Sequence, residues 1–196
     1  MSNSIDTKTQ GTYVLIGGSA RSGKSAFALR LARGLGARRV FVATATAVDD
    51  ELRERIARHR DERGTDFDTV EAPFDLTAAL RRVSEVDVVV VDCLTLWLSN
   101  LLLRGDTEPS ILAQVDELVA ALGRCPCTTI LVTNEVGMGV HPETALGRAF
   151  RDVVGRAHQR LACAAAQVYF AALGVILRLR PAPVVVMEGV DHDRPR

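Results

Sequence analysis

Two hydrophobic periods take turns along this chain. Short, nearly unbroken apolar runs occupy residues 13–16, 39–43, 86–92, 128–134, 168–173 and 175–179. Their length and their β-branched and aromatic content predict strands. Four consecutive valines, Val88 to Val91, end in Asp92, a pattern that predicts a strand buried on both faces. Between these runs the apolar residues recur every three or four positions. That spacing predicts helices over residues 25–35, 49–62, 74–83, 94–103, 110–122 and 145–166. Gly34 and Gly36 close the first helix. Asp49, Asp50 and Glu51 stand in the first turn of the second, where the helix dipole favours acids. Strand and helix in alternation predict an α/β fold, a mostly parallel sheet with helices on both faces. No internal repeat interrupts it. Polar residues 1–12 are expected as a disordered N-terminal tail, residues 13–180 as a single α/β domain, and residues 181–196 as a C-terminal tail with one apolar patch at Val184 to Met187.

The junction between the first strand and the first helix carries the chemistry. Gly18-Ser19-Ala20-Arg21-Ser22-Gly23-Lys24-Ser25 is G-x-x-x-x-G-K-S in strand–loop–helix context, a phosphate-binding loop. The glycines let backbone N–H groups curl around an anion, and the helix N-terminus adds partial positive charge. Lys24 is expected to reach the β- and γ-phosphates, and the Ser25 hydroxyl to bind Mg²⁺. Only Lys8 and Lys24 are lysines among the 24 basic residues. A chain that otherwise uses arginine keeps the compact ammonium where a phosphate site needs it. Such a loop calls for a carboxylate near its metal, and Asp92, at the end of the valine strand, is the candidate. The alternative is that Asp92 caps the helix beginning at Leu94.

Composition narrows the classes of partner. At 196 residues a sizeable core can be buried. Formal net charge is zero, which argues against a nucleic-acid or membrane footprint. No apolar run reaches membrane-spanning length, and the N-terminus lacks the apolar core of a signal peptide. Cys93, Cys125, Cys127 and Cys163 include one C-x-C pair without a second pair at ligand spacing, so they read as reduced thiols of a cytoplasmic protein rather than a zinc site.

Further segments make the nucleotide reading specific. Ala43-Thr44-Ala45 follows the second strand. The helix after it carries Asp49-Asp50-Glu51-Leu52, Arg55-Ile56, His59-Arg60 and Arg63. Then come Thr69-Val70-Glu71-Ala72-Pro73, Asp92-Cys93-Leu94-Thr95-Leu96-Trp97, Thr133-Asn134-Glu135-Val136-Gly137-Met138-Gly139, and Arg148 to Ala162 with Phe150, Arg151, Asp152, Gly155, Arg156 and Gln159. In this order, from about Tyr13 to about Leu179, the set closely resembles the bifunctional adenosylcobinamide kinase / adenosylcobinamide-phosphate guanylyltransferases of cobalamin biosynthesis. The resemblance implies a P-loop nucleotide-binding fold assembled as a homotrimer. It implies phosphorylation of the aminopropanol hydroxyl of adenosylcobinamide by GTP or ATP with Mg²⁺, then transfer of GMP from GTP onto that phosphate. The second reaction passes through a GMP-histidine intermediate.

Carried onto this chain, the resemblance makes His59 the nucleophile and Lys24 the second catalytic residue. The nucleotide is assigned to Gly18, Ser19, Ala20, Arg21, Ser22, Gly23, Lys24, Ser25, Ala43, Thr44, Ala45, Arg60, Asp61, Glu62, Arg63, Glu71 and Asp92, and the metal to Ser25 and Asp92. A neutral imidazole can attack the α-phosphorus with pyrophosphate leaving. Arg55, Arg58, Arg60 and Arg63 surround His59 in sequence and suit bidentate contacts to phosphate. Arg55, His59 and Arg63 fall on one helical face. A charge run of this kind is commonly only a solvated face; the resemblance is what gives it chemistry. Asn134 and Glu135 end a buried strand, where α/β ligand sites gather. Glu135 is an acid able to accept a proton, assist Mg²⁺ or cap a helix. Trp97 is expected in the core. His141 and His158 show no metal spacing; Asp191-His192-Asp193 has the chemistry of a metal site but is expected as part of a disordered tail.

The chain departs from the family pattern at Ser19, where a second glycine is usual, and at Gly64 and Phe67, where proline and tryptophan are common. His141 and His158 stand where the family has a branched apolar residue and asparagine. None of these removes a proposed catalytic group. Two other classes remain open to the residues alone: a P-loop small-molecule kinase without guanylyl transfer, and a non-enzymatic nucleotide switch.

Overall fold

The computed structural model describes residues 12–46, 53–54, 57, 60–61, 63–83 and 85–189. One sheet of eight strands organises them: β1 Tyr13–Gly18, β2 Arg39–Ala43, β3 Asp68–Glu71, β4 Val88–Asp92, β5 Thr128–Val132, β6 Gln167–Ala172, β7 Val175–Arg180 and β8 Val185–Gly189. The spatial order is β3-β2-β4-β5-β1-β6-β7-β8. The first six strands in that order run parallel, and β7 and β8 close the sheet antiparallel. The helices are α1 Lys24–Arg33, α2 Leu76–Arg82, α3 Leu94–Arg104, α4 Glu108–Leu122 and α5 Ala145–Ala164, with further helical residues between Arg53 and Arg63. Residues 1–11 of the expected N-terminal tail, and 190–196 of the expected C-terminal tail, lie outside the described residues. Among the described residues no helix is long and apolar enough to cross a membrane.

Strand alternation explains why the valine run has no polar face. Val89 and Val91 point into one core with Leu15, Val42 and Leu131, covered by α2, α3, α4 and α5. Val88 and Val90 point into the other with Ile16, Phe41 and Val132, covered by α1. Trp97 is in the first core, as expected, and its indole N–H donates to the Phe74 carbonyl at 2.7 Å.

Two strands went unread in the sequence. β3 is an edge strand of Asp-Thr-Val-Glu, exposed along most of its length, so it carries no hydrophobic signature. β8 lies inside the segment expected as a C-terminal tail: Val185–Gly189 pairs with β7 to form the opposite edge. Pro181 and Pro183 precede it and masked its continuity with the sheet.

The long helix α5 is tied at both ends. The Thr144 hydroxyl accepts the Gly147 N–H at 3.0 Å at its start. At its end the Arg180 guanidinium donates to the carbonyls of Ala162 at 2.5 Å and Cys163 at 3.0 Å. The buried Tyr13 hydroxyl donates to the Leu161 carbonyl at 2.5 Å, and burial pushes its pKa up to about 12. The strand that leads into the phosphate loop is thereby anchored to the last turn of α5.

Candidate active site

Strand register draws distant residues into one row at the carboxyl edge of the sheet. Glu71 on β3 pairs with Ala43 on β2, Ala43 with Asp92 on β4, Asp92 with Val132 on β5, and Val132 with Ile16 on β1. The phosphate loop begins two residues past Ile16. Carboxyl ends of parallel strands are where α/β folds gather ligands, and Glu71, Ala43 and Asp92 reach that edge together.

The loop itself is shaped by close approach. A Cβ on Gly18 would sit 2.4 Å from the Ala171 carbonyl oxygen, and Gly18 adopts φ +152°. Arg21 at φ 57° and Gly23 at φ 88° turn the chain back toward α1. Ser19, Ala20 and Arg21 are exposed, whereas Ser22 and Lys24 are buried. Gly23 is the N-cap of α1 and supplies no side-chain cap, and no acid stands in the first turn. The first N–H groups of α1 therefore face the loop with their partial positive charge uncompensated by side chains. Lys24 Nζ spans the loop, donating to the Ser19 carbonyl at 3.0 Å. At 5% exposure Lys24 is more enclosed than a loop position suggests. The buried Ser22 hydroxyl has no protein hydrogen-bond partner, a polar atom that an anion in the loop would satisfy.

Asp92 is not a helix cap. α3 starts from Cys93 as N-cap, with no side-chain cap bond, which leaves the partly buried Asp92 carboxylate at the head of its strand. Burial of the Cys93 thiol, with the Asp92 charge beside it, pushes its pKa up to about 11. A serine hydroxyl and a single carboxylate are hard oxygen donors, and such a sparse set suits Mg²⁺ completed by phosphate oxygens and water. Ser25 and Asp92 offer donors of that kind, and among the described residues no cluster of three His, Cys, Asp or Glu forms a denser cage.

Other expected nucleotide residues divide into exposed and structural groups. The Arg60 guanidinium lies 3.8 Å from the Glu71 carboxylate, both well exposed. Asp61 is an exposed helical residue. Arg63 is buried, its guanidinium 3.8 Å above the centre of the Phe41 ring. Burial and the Arg60 charge lower its pKa, and the Asp92 carboxylate acts in the opposite direction. Thr44 is fully buried. Its hydroxyl donates to the Cys93 carbonyl at 2.7 Å and accepts the Cys93 N–H at 2.9 Å. The Asn100 amide donates to the Thr44 and Pro73 carbonyls, each at 2.9 Å. The Thr44 side chain thus braces the site from inside, while Ala43 and Ala45 are partly exposed beside it. His59 and Glu62 lie outside the described residues, as do Arg55 and Arg58.

A polar string beside the loop joins residues that stand apart in the sequence. Thr95, Thr133, His158 and Glu135 come from α3, the end of β5, α5 and the loop after β5. His158 Nε2 lies 2.7 Å from Thr133 Oγ1, and His158 Nδ1 faces Glu135 Oε2 at 3.5 Å. Burial holds the His158 imidazole below its ordinary pKa despite the carboxylate. Glu135 does not cap a helix: its carboxylate accepts the Gly137 N–H at 2.6 Å, in a turn that precedes α5. Only tertiary packing brings a histidine 23 residues downstream onto this acid.

Residues 14–179 match the family model described as cobinamide kinase / cobinamide phosphate guanyltransferase. The chain is similar to the bifunctional adenosylcobalamin biosynthesis protein CobP of Pseudomonas aeruginosa, 42% identical over 171 residues, covering 87% of this chain and 98% of that one. It is similar to the bifunctional adenosylcobalamin biosynthesis protein CobU of Escherichia coli K12, 38% identical over 180 residues, with 85% and 99% covered. The protein of that name from Salmonella typhimurium LT2 is 37% identical over 180 residues, with the same coverage, 85% and 99%. Among solved structures, the RadB recombinase aligns with a TM-score of 0.49 at 16% identity, over 95% of this chain and 84% of that one.

Proposed function

The chain belongs to the cobinamide kinase / cobinamide phosphate guanyltransferase family, and from that premise we propose how its residues divide the two reactions. The enzyme is bifunctional and serves adenosylcobalamin biosynthesis: it phosphorylates cobinamide, then joins a guanylyl group to the phosphate. In the kinase half, the Gly18–Ser25 backbone and Lys24 hold the β- and γ-phosphates of GTP or ATP in line with the aminopropanol hydroxyl of adenosylcobinamide. Ser25 and Asp92 hold Mg²⁺, which when bound neutralises charge on the transferring phosphoryl group.

In the guanylyl half, His59 is the nucleophile. A ring nitrogen forms a bond to the α-phosphorus of GTP, the α–β bridging P–O bond breaks, and pyrophosphate leaves. An oxygen of cobinamide phosphate then takes the GMP and frees the imidazole. Arg60, with Arg63 held over Phe41, counters the negative charge of the phosphates, and Glu71, Asp61, Glu62 and Ala43 to Ala45 line the nucleotide. The active assembly is a cytoplasmic homotrimer on the same reading. The observation that carries it is the row Glu71–Ala43–Asp92 in register beside the phosphate loop.

The test is incubation with α-labelled GTP, followed by peptide mapping. Acid-labile, base-stable label on the peptide containing His59 is expected, because a phosphoramidate forms. His59→Ala should lose labelling and GMP transfer while retaining cobinamide phosphorylation. Label on His141 or His158, or undiminished labelling of His59→Ala, overturns the assignment.

A further inference from the structure

β5 lies between β1, which carries the phosphate loop, and β4, which ends in Asp92. The residues that leave β5 therefore emerge between the loop and the proposed metal carboxylate. The Glu135 N–H donates to the Gly18 carbonyl at 2.9 Å, which fastens its backbone to the first residue of the loop. Its side chain is 28% exposed, so a substrate can reach it.

Behind Glu135, with the buried imidazole neutral, the polar string has one order that satisfies every member. The Asn134 N–H donates to Thr95 Oγ1 at 2.6 Å. Thr95 Oγ1 lies 3.1 Å from Thr133 Oγ1, and the Thr133 hydroxyl donates to His158 Nε2 at 2.7 Å. The single proton of a neutral imidazole then sits on Nδ1, which faces Glu135 Oε2 at 3.5 Å. That separation is long for a hydrogen bond without substrate, and such contacts shorten in the reacting complex. A neutral donor aims a carboxylate without cancelling its charge, unlike an arginine or lysine. The contact gives the carboxylate a direction.

We infer that Glu135 is the general base of the kinase half-reaction and that His158 is the positioning residue that aims it. The inference rests on the proposed kinase reading. As the cobinamide hydroxyl oxygen bonds to the γ-phosphorus, its O–H bond breaks and the proton passes to Glu135. The bond from the γ-phosphorus to the β,γ-bridging oxygen breaks, the nucleoside diphosphate leaves, and Glu135 returns its proton to water. GMP transfer to a histidine involves no hydroxyl and does not need this base.

Purified full-length protein is assayed for cobinamide phosphorylation and, separately, for labelling by α-labelled GTP. Glu135→Gln should lower the kinase kcat at least ~100-fold, with both KM values within about threefold and labelling retained. Formate should restore part of the activity of Glu135→Ala by supplying the missing carboxylate. His158→Ala should lower the kinase kcat by about tenfold, and His158→Asn, whose amide N–H replaces Nδ1–H, should recover most of it. A Glu135→Gln kinase kcat within about threefold of the parent overturns the assignment, as does full recovery on raising Mg²⁺, which makes Glu135 a metal ligand. Parallel loss of labelling and kinase in Glu135→Gln and in Glu135→Ala with formate makes its role structural and also overturns it. Absence of both activities in the parent protein instead sinks the functional reading beneath it.

Discussion

Lys24 sits where the loop meets the helix terminus. Its ammonium spans the loop to the Ser19 carbonyl, which holds the side chain in place. Lys24→Ala removes a charge-assisted contact to the transferring phosphate, about 2–4 kcal/mol of transition-state stabilisation, and cobinamide phosphorylation should fall roughly 30- to 1,000-fold. The fold should survive, because Ser19 is exposed and water can replace the lost donor at its carbonyl. Steady-state turnover beside a thermal melt separates the two effects: a parent-like rate removes Lys24 from catalysis, and a collapsed melt makes its role structural. The loop and Asp92 were legible because they are local patterns, a glycine spacing and an acid closing a valine run. Thr44 was legible only as a position. Its inward hydroxyl depends on the Cys93 backbone, 49 residues away, meeting it across two strands. The pairing of Glu135 with His158 was invisible for the same reason.

Elements read well where both faces of a segment had to be buried or one stripe was apolar. Strand β2 was read at its observed bounds, and the valine strand and each helix from α3 to α5 came within two residues at either end. α4 begins at Glu108, ahead of the expected residue 110, because Pro109 is tolerated in the first turn. The misses are the two edges of the sheet. An edge strand has one partner and needs little hydrophobicity, so the polar β3 and the proline-flanked β8 gave no signal of period two. Beyond the sheet, α5 depends on a long-range cap. Arg180→Ala leaves the carbonyls of Ala162 and Cys163 without their guanidinium. Stability should drop by about 1 kcal/mol, read as a lower urea midpoint at constant slope. An unchanged midpoint means that solvent serves those carbonyls equally well.

At the scale of the whole molecule, acid sensitivity should come in two stages. His158 has a lowered pKa in the fold, so below about pH 6.5 the unfolded chain takes up a proton that the folded one resists. Stability is full above that value and falls as pH drops toward the folded pKa. Asp87 and Asp106 are also held low, by hydrogen bonds from Arg38 and from Arg104 and Gln114. Their contribution is present above the ordinary aspartate range and is lost as pH falls through their folded values. Urea titrations at pH 7.5, 5.5 and 3.5 should show both steps, and His158→Asn should flatten the first alone; an unaltered first step assigns it to another group. The position of β1 has a different consequence. Tyr13–Gly18 is the first strand among the described residues, yet it lies between β5 and β6, and its tyrosine hydroxyl bonds to a carbonyl 148 residues later. During synthesis the strand beneath the phosphate loop must wait, unflanked on one side, until residue 172 has left the ribosome. An unfinished chain carries the phosphate loop without the strand that flanks it, so a chain ended before residue 167 is expected to show no triphosphate turnover in a steady-state assay.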